Sequence, residues 1–293
     1  MPEYPDIVIY IESLEKRILG GTLQRASVTS PFLLRTATPP LSSCEGKKVV
    51  NLRRLGKRIC IGFDNNHWLV LHLMIAGRLH WKTDVSKTSK RDLAALRFEN
   101  GTLTLTEAGT QKRASLHVVE DDAALNSLDP GGLEIFESNS ADFAATLQSA
   151  NHTLKRALTN PRLFSGIGNA YSDEILFEAQ LSPIKLTNSL SGNEIDQLYA
   201  ATRKTLTMWV HRLREETRTG FPEGVTAFRE GMAVHGRYKQ PCLRCGAKIQ
   251  RIRYAANETN YCPVCQTGGK LLADRALSRI LRDDWPKTAE ELG

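Results

Sequence analysis

The chain has no apolar run approaching the roughly 18 to 20 residues that span a bilayer, which argues against a membrane protein. Its opening, Met1-Pro2-Glu3-Tyr4-Pro5-Asp6, lacks the basic segment and apolar stretch of a secretion signal, so a cytosolic location is expected. It has no internal repeat and no low-complexity tract, which excludes solenoid and linker classes. Cysteine is sparse, with six in 293 residues, too few for a disulfide scaffold. Two of the six, Cys44 and Cys60, have no patterned neighbours and read as buried free thiols in strand-rich sequence.

The length suffices for two domains with cores of their own, and 41% hydrophobic with 24% charged residues is an ordinary globular composition. The net charge is +7, but it is concentrated. From Gly236 to Arg282 ten Lys and Arg face only Glu258 and Asp274, leaving the rest of the chain near neutral. A basic region on a neutral body points to a polyanion partner or to a solvated basic face.

Ile7, Ile11, Leu14, Ile18 and Leu19 recur at helical spacing and predict a helix over 7–20, stopped by Gly20-Gly21. From Thr22 to Val119 short apolar runs replace that pattern: 49–52, 59–63, 68–73, 95–98 and 103–105, separated by Gly, Asn and Asp. They predict an antiparallel sandwich or barrel. Leu128-Asp129-Pro130-Gly131-Gly132 reads as a linker, Phe143 to Arg218 as helical, and Gly220 to Gly236 as a connecting loop.

The strongest motif is Cys242-x2-Cys245-x16-Cys262-x2-Cys265. Two knuckles at this spacing suit one tetrahedral zinc, and four thiolates leave no open position, so the metal is structural. Between them, residues 249–254 and 259–261 read as a hairpin with its turn near Ala256-Asn257-Glu258. Arg251 and Arg253, two apart on a strand, share one face suited to phosphate.

Four separated segments together resemble the formamidopyrimidine-DNA glycosylase and endonuclease VIII family. They are Pro2-Glu3-Tyr4-Pro5-Asp6, Arg53-Arg54-Leu55-Gly56-Lys57, the run from Ser165 to Phe177 with Gly166-Ile167-Gly168-Asn169, and the cysteine hairpin. Their order and spacing agree, so the resemblance covers nearly the whole chain. It implies an α+β fold: an N-terminal β-sandwich with a flanking helix, then a helix–two-turn–helix domain with a C-terminal zinc hairpin. The expected boundaries are 1–128, 133–235, 236–266 and a C-terminal extension, 267–293. The implied activity is excision of oxidised bases from double-stranded DNA, followed by strand cleavage at the abasic site. The implied form is a monomer with one structural zinc. Alternatives are a catalytically weak binder of damaged DNA with the same fold, and a zinc-hairpin nucleic-acid binder unrelated to repair.

The chemistry behind that implication is specific. Once Met1 is removed, Pro2 presents a secondary amine. An α-amino group titrates near roughly 7.7 to 8.0, so part of it is neutral and nucleophilic at cellular pH. The resemblance makes Glu3 the proton-transfer group at the sugar, Lys57 a phosphate contact beside the scissile bond, and Asp6 a possible support. It makes His72, Arg113, Lys155 and Asn169 DNA contacts, with Arg251 and Arg253 joining them.

The sequence also departs from the family pattern. Asp6 replaces a Glu, and Asn257 stands where an Arg is usual. Ile75 occupies the place of a Met wedge, and Lys112-Arg113-Ala114-Ser115 lacks the aromatic of the insertion loop. The segment from Phe228 to Cys242 is short for a loop that covers a purine lesion. These changes weaken the case for purine specificity and leave the strand-cleaving chemistry intact. In the extension, Leu271, Leu272, Ala276, Ile280 and Leu281 suggest a short amphipathic helix.

Overall fold

The structure, a computed structural model, describes residues 1–83, 89, 91–226, 228–254, 257–273, 287–289 and 291. It divides into two compact units, one of residues 1–130 with 209–226, the other of 131–208 with 227–293.

The first unit opens with helix α1 (Tyr4–Ile18). Eight strands follow: β1 (Arg25–Val28), β2 (Val49–Leu55), β3 (Arg58–Phe63), β4 (Trp68–His72), β5 (Gly77–Lys82), β6 (Asp92–Phe98), β7 (Gly101–Glu107) and β8 (Ser115–Val119). They form two four-stranded sheets, β1-β6-β7-β5 and β2-β3-β4-β8, with every named pairing antiparallel. Alternation along the strands explains the sandwich. Ile59, Ile61, Leu69, Leu71, Leu116 and Val118 from one sheet meet Leu79, Leu96, Leu103 and Leu105 from the other, joined by Ile7, Leu14 and Ile18 of α1. The intervening residues Cys60, Trp68 and Val70 face the opposite side. There they pack against Leu125 of a short helix, α2 (Asp122–Asn126). Both faces of β3 and β4 are therefore buried, which is why their sequences read as continuous apolar runs.

The second unit contains α3 (Ser140–Gln148), α4 (Leu154–Thr159), α5 (Asn169–Glu178) and the first part of α6 (Gly192–Thr217). A hairpin follows, β9 (Gln250–Tyr254) with β10 (Asn257–Tyr261), and then one turn of helix, α7 (Pro263–Thr267). Phe143 and Phe164 pack in its core with their rings tilted and their centroids 4.9 Å apart. Asn257 and Glu258, expected in the hairpin turn, belong instead to β10, where Glu258 pairs with Arg253. Cys44 and Cys60 are fully buried, as expected, and burial pushes their thiols up to about 11 and about 12. Most of the predicted C-terminal helix, including Ala276, Ile280 and Leu281, lies outside the described residues.

Candidate functional site

In the first unit the start of α1 is built to hold the chain terminus. Asp6, at the third helical position, accepts the backbone N–H of Glu3 at 2.9 Å, closing the N-terminal turn. Pro2, Glu3 and Asp6 are all buried. Tyr4 lies under the Arg54 guanidinium of β2 at 4.6 Å, and Arg54 donates to the Gly56 carbonyl at 2.8 Å. Gly56 opens the two-residue turn between β2 and β3 with φ +61, a conformation that favours glycine. The next residue in that turn is Lys57. Through Arg54, the helix start and the Lys57 turn are one assembly.

The α-amino group of Met1 senses this setting. Burial lowers its pKa below the ordinary value; Glu3 and Asp6 pull it up, and Arg78 and Lys57 push it down. Arg78, which the sequence reading missed for want of any motif, is held by the carbonyls of Gly77 at 2.6 Å and Ile75 at 3.3 Å. His72 ends β4 opposite Arg58. Burial, aided by Arg58, Lys57 and His117, holds its imidazole down at about 4, so it is neutral at cellular pH.

Two loops adjoin beyond it. Ile75 is 54% exposed at the tip of the β4–β5 connection. Ala76 of that loop accepts the N–H of Ala108 at 3.4 Å, linking it to the loop that carries Arg113. Buried Glu107 shapes this second loop. Both its carboxylate oxygens take the Arg113 N–H at 2.9 Å and lie within 3.3 Å of the Ala114 N–H. Arg113 itself points outward, bonded only to Gln111 among its side-chain contacts in the described residues.

In the second unit α4 and α5 flank a double turn anchored by fully buried Phe164 and Ile167, with Gly166 at φ +78. Asn169 begins α5 and donates from its amide to the Glu258 carbonyl of β10 at 3.0 Å. Residues 170–177 are buried all round the helix, so the two acids among them require partners. Asp173 accepts from Lys155 at 2.5 Å, from His235 at 2.8 Å and from the Asn260 backbone at 3.1 Å. Glu174 accepts the backbone N–H groups of Ala233, Val234 and His235 at 2.7 to 2.9 Å, while burial raises its pKa. The sequence reading quoted both acids only as parts of a motif. Two adjacent carboxylates in an otherwise apolar helix were the available signal.

Arg251 and Arg253 share one face of the hairpin, as alternation predicted. Both reach the same Glu258 oxygen, at 3.0 and 3.4 Å, so the cluster keeps an excess positive charge. Arg251 also stacks on Tyr238 at 4.1 Å. The segment after Phe228 lines an open pocket of about 490 Å³, with Phe228, Met232, His235, Arg237 and Leu243 among its walls. The sulfurs of Cys242, Cys245, Cys262 and Cys265 lie within 4.8 Å of one another. Pairs at 3.9 and 3.4 Å fit the edges of a tetrahedron around one zinc with bonds near 2.3 Å. The N–H of Arg244 donates to Cys242 and that of Cys265 to Cys262, both at 3.4 Å. The site thus holds one structural zinc. Pro2, Glu3, Asp6, Lys57, His72 and Arg113 belong to the first unit; Lys155, Asn169, Arg251, Arg253 and the cysteines belong to the second.

Three family models match in this order. Residues 1–113 match the formamidopyrimidine-DNA glycosylase N-terminal domain, 132–219 the H2TH domain of the same enzymes, and 239–268 the zinc finger found in FPG and IleRS. A formamidopyrimidine-DNA glycosylase of Bacillus cereus is 28% identical over 275 residues, covering 91% of this chain and 99% of the relative. One of Listeria monocytogenes is 28% identical, covering 91% and 100%. Among solved structures, the Lactococcus lactis Fpg bound to DNA containing an abasic site superposes with a TM-score of 0.80 at 27% identity, covering 90% of this chain and 99% of that one. MutM in complex with DNA containing carbocyclic 8-oxo-G gives a TM-score of 0.80 at 27% identity, covering 91% and 100%.

Proposed function

We propose a residue-level mechanism from the premise that the chain belongs to the formamidopyrimidine-DNA glycosylase family. It is a DNA glycosylase with lyase activity in base-excision repair. Pro2, exposed as a secondary amine when Met1 is removed, is the nucleophile. The observation that supports this reading is the place of Pro2: it is buried next to buried Glu3 at the start of α1, and the Met1 α-amino group one residue before it has its pKa lowered by burial, with Arg78 and Lys57 also opposing protonation there.

The amine lone pair attacks C1′, and the bond from C1′ to the base breaks with its electron pair leaving on the base, which takes up a proton. Glu3 transfers protons at the sugar. The amine loses its proton, the C1′–O4′ bond then breaks with its electron pair leaving on O4′, which takes a proton delivered through Glu3, and the ring-opened iminium so formed acidifies the C2′ proton. Its loss expels the 3′ phosphate by elimination, and water releases the sugar remnant to regenerate the amine. Lys57 holds the phosphate beside the scissile bond. His72, being neutral, contributes an N–H rather than a charge to a neighbouring phosphate. Asp6 supports the site by closing the helix turn that carries Glu3. Arg113, with Ile75, fills the space left by the extruded nucleotide. Asn169 and Lys155 bind backbone phosphate at the start of α5, and Arg251 and Arg253 do so from the hairpin.

The partner is duplex DNA with a damaged base or an abasic site, bound by one monomer. A cytoplasmic location agrees with the bacterial relatives, and no helix among the described residues is long and apolar enough to cross a membrane. The test is intact-mass measurement of the native protein followed by borohydride reduction on an abasic duplex. Loss of Met1 and a covalent adduct mapped to Pro2 are expected. N-terminal acetylation should abolish the adduct, and Pro2→Gly should slow its formation. Full lyase activity from the blocked protein would refute the assignment, and a native protein that retains Met1 would exclude the chemistry.

A further inference from the structure

The Asp173 carboxylate accepts four hydrogen bonds, yet nothing in the mechanism above requires it. Its side chain is wholly buried. A charge in that position is costly unless it is paired, and well-packed apolar residues often replace such ion pairs without loss of stability. Its presence is better understood from what its partners carry.

Lys155, from α4, donates to Asp173 at 2.5 Å and with the same ammonium to the Asn169 carbonyl at 2.6 Å. This fixes the first residue of α5. The backbone and side-chain amides of Asn260 both donate to the other Asp173 oxygen, at 3.1 and 3.3 Å. Asn260 lies directly across the hairpin from Arg251. His235 donates to that same oxygen at 2.8 Å, with its ring stacked on Phe228. The Asn169 amide closes the circuit by donating to Glu258, whose carboxylate holds Arg251 and Arg253.

We infer that Asp173 is a positioning residue for phosphate binding, one carboxylate that sets the Asn169 turn and the Arg251 strand in register with each other. The inference rests on the reading of Asn169 as a phosphate contact. It carries a sign that simple electrostatics does not. Removing a negative charge from a DNA-binding unit should tighten binding to a polyanion, whereas removing a positioning carboxylate should weaken it.

The experiment is a double-mutant cycle of Asp173→Asn and Asn169→Ala in the full-length zinc-loaded protein. Affinity is read by fluorescence anisotropy on a duplex with an uncleavable abasic analogue, and KM and kcat on a cleavable one. Asn169→Ala should weaken binding roughly tenfold or more, as for loss of a bond to a charged group. Asp173→Asn should weaken it comparably and raise KM with little change in kcat, with zinc content unchanged. The double variant should be no worse than about the poorer single one. Wild-type or tighter binding by Asp173→Asn, or full additivity, overturns the inference while leaving the Asn169 reading intact. No effect of Asn169→Ala overturns both. If Asp173→Asn does not fold, the cycle is run with His235→Phe, which removes one donor and keeps the aromatic ring; a smaller, non-additive loss supports the inference, and wild-type binding refutes it.

Discussion

Glu107→Ala should separate base excision from strand cleavage. The Glu107 carboxylate is the acceptor for two consecutive N–H groups, those of Arg113 and Ala114. Arg113 is exposed, so its amide can find water. Ala114 is 3% exposed, so its amide has nowhere to turn. An orphaned buried donor costs about 1–3 kcal/mol, and a hydrogen bond to a charged acceptor contributes about 1.5–3 kcal/mol. The structure therefore sets the loss at about 2–4 kcal/mol. For a unit of this size each kcal/mol lowers Tm by about 2–4 °C, giving a fall of roughly 6–12 °C near the middle of that range. Glu107→Gln keeps one acceptor oxygen and should lose about half as much. The loop that presents Arg113 loosens in both variants, beside the Ile75 loop to which it is bonded. Excision of a base that must be extruded should drop more than cleavage at an abasic site, which needs no base held out. Calorimetry and single-turnover cleavage of matched duplexes measure the two effects. A Tm within about 1 °C of wild type, or equal losses on both substrates, would show that Glu107 does not shape the loop as described.

Cys262→Ser should lower zinc from near one per chain and DNA affinity together, because Cys242 and Cys262 are themselves members of the small core beneath the hairpin. Unchanged binding by zinc-free protein would refute this. His72, held at about 4, should show a flat NMR titration from pH 8 to 5.5. Since its pKa is higher in the unfolded chain, roughly 6.5, its contribution to stability is intact above that value and is lost as pH falls through the folded pKa. A titration midpoint near 6.5 would contradict its burial. Abasic sites should be cleaved fastest, oxidised pyrimidines next, and 8-oxoguanine opposite cytosine slowest, because the Ile75 and Arg113 wedge has no aromatic partner. Faster excision of 8-oxoguanine than of the other two substrates would break the link from wedge to specificity.

The sequence by itself determined whatever depends on local spacing. The cysteine ligands were legible because two knuckles impose their own geometry on a metal. The strands at 58–63 and 68–72 were legible because burial on both faces left unbroken apolar runs, and the start of the strand at 49–55 was legible from the short apolar run at 49–52. β1, β5 and β8 were not, since their pleats alternate with polar residues such as Arg25, Arg78, His80 and His117 and carry no long run. The helix began at Tyr4 rather than at Ile7, because Asp6 caps the turn and extends it beyond the apolar stripe. Motifs singled out Pro2, Glu3, Lys57 and Asn169 as the proposed site residues. The groups packed around the proposed site were not singled out: Arg78 near the Met1 amine, Glu107 under the Arg113 loop, and Asp173 gathering Lys155, His235 and Asn260. Asp173 and Asn260 are 87 residues apart in sequence, and Asp173 and His235 are 62 apart. No local pattern records such pairs. Burial forces each polar group to find a partner, and only the tertiary structure decides which partner is within reach.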